Sequence, residues 1–159
     1  MTLESIGYFD IYQTTVSVPT YLINNIVNLS KLHPGISRSN IGGWQYEIHR
    51  SPPIWAQSIL DQVIDTLPNY KIDSIWFNIN GPGHYNRWHT HRIRKHAAVL
   101  YVQVPENSGH IEFRQKHQVH KIYPTVGQLL VFPSDLEHRV LMNNSTENRI
   151  SVAFNLLAA

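Results

Sequence analysis

Apolar residues recur every three to four positions in two stretches of the first seventy residues, and at alternate positions in most of the remaining chain. Over residues 19–32 the apolar set is Leu22, Ile23, Ile26, Val27 and Leu29, the spacing of one helix face. Pro19 suits a first turn, and His33-Pro34-Gly35 breaks the helix. A second helix is expected over residues 52–67, with Ser51 as N-cap and Pro68 as its stop. Its apolar set is Ile54, Trp55, Ile59, Leu60, Val63, Ile64 and Leu67. The aromatic run 6–12 reads as a strand, and 37–44, with its paired glycines, reads as a loop.

After Asn69 the period falls to two. Strand-like runs at 70–80, 85–91, 96–104, 110–114, 119–123, 128–132, 138–142 and 149–157 are split by turn residues. Eight short strands at this spacing predict a sandwich or barrel. The expectation is a mainly β fold with two N-terminal helices packed on one sheet. Residues 1–69 support a β core of 70–157, all within a single domain of 1–159.

The alternation also assigns faces. In the last run Arg149, Ser151, Ala153 and Asn155 share one side, and Ile150, Val152, Phe154 and Leu156 the other. Asn78 and Asn80 oppose Ile75, Phe77 and Ile79, while Tyr101 and Gln103 oppose Leu100, Val102 and Val104. The apolar faces are expected beneath the helices. The polar faces carry Arg, Ser, Asn and Tyr rather than the Lys, Glu and Thr of a solvated surface, which points to a cavity lining.

Composition narrows the chemistry. At 159 residues the chain is long enough to bury a core, and its apolar content of 42% is that of a globular protein. A formal charge of +2 argues against a specific nucleic-acid partner. Arg87, Arg92, Arg94 and Lys95 form a local basic cluster, read either as a solvated loop or as a rim that attracts an anionic substrate. With no cysteine, disulfides, thiolate ligands, iron–sulfur clusters and cysteine nucleophiles are excluded. No positively charged start leads into an apolar run and no segment is long enough to span a bilayer, so a soluble intracellular protein with no membrane partner is expected. Serine- or carboxylate-based hydrolysis finds no supporting pattern.

The unusual number is ten histidines. In an extended segment His89 and His91 point the same way and can hold adjacent corners of one metal ion. A third imidazole, His138, can close one face of the coordination sphere and leave the opposite side open. An isolated His-x-His pair arises often by chance among so many histidines. Here Gly81-Pro82-Gly83 precedes it and an apolar strand follows. His138 sits just past the bend that ends the 128–132 run, and Arg149 opens the last strand eleven residues on.

Taken together, Trp76-x-Asn78, His89-Thr-His91, the Tyr101 strand, Gly127-x-x-x-x-Phe132-Pro133-Ser134, His138 and Arg149-Ile-Ser151 resemble the Fe(II)/2-oxoglutarate-dependent oxygenase superfamily. Within it they resemble an oxygenase branch found in phages and bacteria, distantly related to prolyl hydroxylases. The segment 39–44 is similar to that branch's upstream signature, and the resemblance extends over residues 39–155.

The resemblance implies a double-stranded β-helix (jelly-roll) core with Fe(II) at His89, His91 and His138. Arg149 with Ser151 is implied to bind the distal carboxylate of 2-oxoglutarate, for which a planar guanidinium fork is apt. Asn78 and Tyr101 are candidates for the same cosubstrate site from their facing alone. With O2, oxidative decarboxylation to succinate and carbon dioxide drives attack on a substrate C–H bond, hydroxylation being the default outcome. The substrate is expected to be a small molecule or a peptidyl side chain, and the setting the cytoplasm of a bacterial or phage-infected cell.

This chain departs from the superfamily's usual site in one respect. His91 stands where a His-x-Asp/Glu motif places its carboxylate, leaving more positive charge on the metal. Asp135 and Glu137 lie nearby but lack the expected spacing. The same triad also resembles the two cupin motifs, with Gly83 ahead of His89-x-His91 and Gly127 and Pro133 ahead of His138. The cupin glutamate is missing, however, with Lys95 and His96 in its place. A cupin-like metalloenzyme or metal-binding jelly roll that does not use 2-oxoglutarate is therefore the alternative reading, and a non-catalytic jelly roll the third. His84, Asn86, Arg87 and His96 are candidates for substrate contact, against the commoner role of loop residues. His110, His117 and His120 read as surface residues and Trp88 as core packing. A homodimer through a sheet edge is a further expectation.

Overall fold

The computed structural model describes residues 3–48, 51–91 and 95–159, so Arg92 and Arg94 of the basic cluster lie outside the described residues. In chain order the elements begin with β1 (Glu4–Ser5), β2 (Tyr12–Thr15), α1 (Tyr21–Leu32), β3 (Asn40–Ile41) and β4 (Trp44–Glu47). A 3-10 turn (Ile54–Ala56) leads into α2 (Gln57–Thr66), and then come β5 (Tyr70–Asn80), β6 (Tyr85–His89), β7 (His96–Gln103) and β8 (Ile111–Gln115). The chain ends with β9 (Gln118–Ile122), β10 (Gln128–Pro133), β11 (Glu137–Val140) and β12 (Arg149–Ala158). Two antiparallel sheets result. One has seven strands in the order β1-β2-β10-β7-β12-β5-β4, and the other five in the order β3-β6-β11-β8-β9.

The apolar side of the seven-stranded sheet packs against the helices. Leu22 and Ile26 of α1 and Ile59, Leu60 and Val63 of α2 share one buried cluster with Phe77, Leu100, Val152, Phe154 and Leu156. Each such side chain, taken wholly out of water, contributes about 1.5–3 kcal/mol. A second cluster (Ala97, Tyr101, Ile111, Phe113, Leu130, Phe132 and Leu136) fills the space between the two sheets. Val104 also packs there rather than with Leu100 and Val102, because a register shift where β12 meets β7 interrupts strict alternation.

Other local expectations need correction. Residues 6–12 are not one strand. Phe9 and Asp10 adopt left-handed backbone (φ 50° and 55°), a tight turn forms, and regular pairing starts at Tyr12. The expected loop 37–44 holds β3 and the start of β4, two ladders too short to show a period. The first helix begins at Tyr21 rather than Pro19. Ser51 caps no helix, since the 3-10 turn follows Pro53 and precedes α2.

On the outer face of the five-stranded sheet, Trp88 is half-buried beneath two guanidinium groups, Arg114 at 4.1 Å and Arg139 at 4.7 Å from its ring centre. Core packing is therefore not its role. Glu112 next to it is buried, accepts from Arg139 Nε at 2.8 Å and lies 2.8 Å from His110 Nε2. Burial pushes its carboxyl up, but these hydrogen bonds outweigh burial and hold it below its ordinary range. A carboxylate with a depressed pKa contributes stability above its unfolded value and loses it as pH falls. Glu112→Gln should therefore cost about 1–3 kcal/mol at pH 7, by urea unfolding. That difference should shrink below pH ~4.5 as the wild-type carboxyl protonates.

Candidate active site

Strand register arranges the inner face of the seven-stranded sheet in rows. Arg149 lies opposite Asn80. The next row is Gln45, Asn78, Ser151 and Tyr101, followed by Glu47, Trp76, Ala153, Val99 and Leu130. Then come Ser74, Asn155, Ala97 and Phe132. Polar amides and hydroxyls thus sit beside the arginine, Trp76, Ala153, Val99 and Leu130 make the middle apolar with Glu47 at its β4 edge, and a second polar pair, Ser74 and Asn155, lies at the far end. The facing sheet supplies the histidines, and between the sheets lies a cavity of about 380 Å³.

His89 ends β6 directly across from His138 on β11. The next paired position is Asn86 with Val140, so β6 has one extra residue against Arg139. This bulge lets Asn86 and His89 both line the cavity although they are three residues apart, an odd number that a regular strand would send to opposite faces. His91 follows the strand, its N–H donating to Ser134 O at 2.8 Å. Glu137 turns away to Arg114, 2.7 Å from its Nη2, and supplies no carboxylate to the cluster.

His89, His91 and His138 offer three nitrogen atoms within 4.8 Å of one another. Ring centres are 4.1 Å apart for His89 and His138, 5.1 Å for His91 and His138, and 5.6 Å for His89 and His91. Each Nδ1 has a protein partner: Arg87 O at 2.6 Å for His89, Asn155 Oδ1 at 2.6 Å for His91, and Leu136 O at 3.0 Å for His138. Nε2 is the atom each ring leaves to offer. Burial lowers the pKa of all three, and for His138 the neighbouring imidazoles push it further, well below the ordinary value. Neutral rings with fixed Nδ1 contacts are what a divalent metal requires, so the cluster fits one ion.

Arg149 is 5% exposed. Its Nη1 donates to Ser108 O at 2.8 Å, and Nη2 lies 2.7 Å from the Asn80 side-chain amide, whose oxygen accepts from it once that amide is turned. Gly109 lets it lie there, since a Cβ at that position would stand 3.0 Å from Nη1 and against Leu141 O. No carboxylate among the described residues pairs with this guanidinium, although a buried unpaired charge is costly. Tyr101 is buried next to it, and burial raises its pKa and keeps its hydroxyl protonated. Asn78 Nδ2 donates to Ser151 Oγ at 3.3 Å while its Oδ1 has no partner. A buried cation without an acid, beside unspent polar groups in a small cavity, fits a carboxylate-bearing cosubstrate.

The structure brings seven expected residues to one cavity: His89, His91, His138, Arg149, Ser151, Asn78 and Tyr101. Of the weaker candidates, Asn86 lines it, its side-chain amide 2.9 Å from that of Asn80 and 3.1 Å from Ser39 Oγ. His84, Arg87 and His96 are not among the lining residues. His84 packs on Gly42 and accepts from Gly81 N–H, Arg87 is exposed, and His96 meets the Tyr70 ring edge-on. Asn155 and Asn80 line the cavity as their polar faces imply, though sequence reading gave them no individual role, and Gln45 and Arg38, which also line it, were not singled out. The polar faces of β5 and β12 were the available signal for the two asparagines. Trp76, whose ring stacks on His91 at 5.6 Å, had only its place in the motif.

Comparison with known proteins agrees with this geometry. The family model described as "Putative 2OG-Fe(II) oxygenase" matches residues 74–155, from the Ser74 row through Asn155. No curated protein matches the sequence. Among solved structures, a Pseudomonas putida prolyl-4-hydroxylase superimposes with TM-score 0.66 and 18% identity over 97% of this chain and 95% of its own. A collagen prolyl hydroxylase of Paramecium bursaria Chlorella virus-1, in a 2OG complex, gives 0.68 and 16% over 96% and 98%. HygX of Streptomyces hygroscopicus, with nickel and 2-oxoglutarate bound, gives 0.71 and 8% over 94% and 83%. The chain belongs to the 2OG-Fe(II) oxygenase family. It is an enzyme of that class, using Fe(II), 2-oxoglutarate and O2, on a two-sheet β fold.

Proposed function

We propose that this jelly-roll oxygenase hydroxylates a C–H bond of a small-molecule or peptidyl substrate. His89, His91 and His138 hold Fe(II), and Arg149, Ser151, Asn78 and Tyr101 hold 2-oxoglutarate. The observation that carries the assignment is the buried, acid-free Arg149 guanidinium on the cavity that also contains the imidazole cluster. When bound, iron supplies the redox chemistry that couples cosubstrate decarboxylation to C–H oxidation.

The protein's own part is placement. Arg149 offers its remaining N–H donors to a carboxylate, and the protonated Tyr101 hydroxyl and Ser151 stand in the adjoining row. Val99, Ala153, Ile111, Phe132 and Val140 make the cavity wall apolar and keep water from the reacting centre. Ala153, between the Ser151 and Asn155 positions, is small enough to leave room above the strand. Trp76 and Arg38 border His91 on the β4–β5 side, where substrate has an aromatic face and an exposed cation to meet.

The Trichoplax adhaerens prolyl hydroxylase, solved with a peptide fragment, superimposes with TM-score 0.69 at 17% identity, which makes prolyl peptides a reasonable first substrate panel. Residues 1–159 then act as one domain in the cytoplasm of a bacterial or phage-infected cell, with a homodimer as the assembly to test by light scattering. No helix among the described residues is long and apolar enough to cross a membrane.

Anaerobic titration decides the main point. Fe(II) followed by 2-oxoglutarate should produce a weak visible charge-transfer band and a further rise in melting temperature. At a hundred times its dissociation constant the cosubstrate adds about 2.7 kcal/mol. Metal binding with no response to 2-oxoglutarate would favour the cupin-like alternative.

A further inference from the structure

We infer that Asn155, anchored by Ser74, is the positioning residue that sets His91 in its metal-binding tautomer; this rests on the assignment of the three imidazoles as ligands. His89 and His138 have their tautomers set by the backbone. Their Nδ1 atoms face the carbonyl oxygens of Arg87 and Leu136, and a carbonyl only accepts. Both rings must therefore carry hydrogen on Nδ1 and present the Nε2 lone pair.

His91 is different because its Nδ1 faces a carboxamide, 2.6 Å from Asn155 Oδ1. An amide can turn either end toward a ring. With oxygen forward it accepts from Nδ1–H and leaves Nε2 free for a metal. With NH2 forward it donates to Nδ1, the ring hydrogen moves to Nε2, and the ligand is lost. The oxygen is forward here, and Asn155 Nδ2 donates at 2.9 Å to the hydroxyl of Ser74, its direct cross-strand partner. A hydroxyl can donate or accept, so Ser74 anchors the amide against rotation, and the Nδ1–H to Oδ1 bond itself holds the His91 tautomer.

The requirement comes from this chain's own ligand choice. A carboxylate at position 91 has no tautomer to set, whereas an imidazole does. The Trp76 ring stacked on His91 at 5.6 Å fixes the plane of the ring but not the site of its proton. Asn155 stands two residues from Ala153 and four from Ser151 on the same strand face, so one strand carries both the cosubstrate contacts and the lock.

Two readouts test this, one independent of metal. In the metal-free protein, long-range ¹H–¹⁵N NMR should show His91 as the Nδ1–H tautomer, and in Asn155→Ala it should shift toward Nε2–H. Zn(II) affinity, measured by chelator competition, should fall about 10–100-fold in Asn155→Ala, the usual cost of losing an outer-shell partner. Asn155→Asp should restore affinity to within a few-fold of wild type, because a carboxylate oxygen accepts the same hydrogen bond. Ser74→Ala, which keeps Asn155 but frees its amide, should lie between wild type and Asn155→Ala. Wild-type His91 found as Nε2–H overturns the inference, and so does Asn155→Ala that keeps both Nδ1–H and full affinity. If wild type binds no metal, the parent reading fails while the NMR result still decides the role of Asn155.

Discussion

Arg149→Ala should raise the dissociation constant for 2-oxoglutarate by about 30-fold to a few thousand-fold, with metal affinity nearly unchanged. Truncating one partner of a buried, hydrogen-bonded charge pair costs about 2–5 kcal/mol, and every 1.4 kcal/mol is a factor of ten. Arg149 has no acidic partner among the described residues, so its charge is compensated only when an anion is bound. The metal-free, ligand-free variant should consequently lose little stability. Removing the side chain orphans the acceptors Ser108 O and the Asn80 amide, but it also removes a buried unpaired cation. Arg149→Lys separates charge from shape. It keeps the cation and loses the fork, and should recover only part of the affinity. Calorimetric titration in the presence of Zn(II) measures all three proteins. Unchanged 2-oxoglutarate binding in Arg149→Ala would remove Arg149 from the cosubstrate site.

How much was legible in the sequence depended on whether a local pattern had room to form. The alternating faces of β12 and β5 span ten and eleven residues, long enough for the period to separate the cavity side (Arg149, Ser151, Ala153, Asn155) from the helix side. The helices were visible for the same reason, and their ends were misplaced because capping rests on one or two residues. What stayed hidden was set by contacts between distant segments. The strands of 37–47 are two and four residues long and exist only through their pairing to β6 and β5. The bulge in β6 appears only when that strand is laid against β11, yet it is what turns Asn86 and His89 to one side. His89-x-His91 could be read from alternation because the bulge lies upstream of it.

The rows across the seven-stranded sheet also explain why a histidine triad can work on this scaffold. A carboxylate at position 91 would bring charge and no tautomer. The imidazole brings a tautomer and no charge, and the sheet supplies the missing control through Asn155 and Ser74 at the end opposite Arg149. His91→Asp should therefore keep metal binding and, unlike wild type, tolerate Asn155→Ala. A double-mutant cycle on Zn(II) affinity should show the Asn155 effect nearly vanishing in the aspartate background, a coupling between positions 91 and 155 of about 1.4–2.8 kcal/mol, well above the ~0.5 kcal/mol within which independent sites add.

His138→Leu should abolish metal binding outright and leave a folded protein. His138 is the most enclosed of the three ligands, 4% exposed, with its ring centre 4.1 Å from His89 and 4.8 Å from Phe132. Its burial among apolar rings and two further imidazoles disfavours the charged form, so without a metal it contributes packing rather than electrostatics. Leucine conserves most of that volume, and volume-conserving swaps cost less than about 1.5 kcal/mol. His138→Ala would leave a cavity and confuse ligand loss with core damage, at about 2–5 kcal/mol for a large-to-alanine change. The expected pattern is a metal-free melting temperature within a few degrees of wild type, no rise on adding Fe(II) or Zn(II), and no charge-transfer band with 2-oxoglutarate. The loss should exceed the ~10–100-fold effect of Asn155→Ala, since removing a ligand deletes a bond that removing its support only weakens. Tight, stoichiometric Zn(II) binding by a folded His138→Leu protein would mean that the ion sits elsewhere, and the triad would then be an ordinary set of packed histidines.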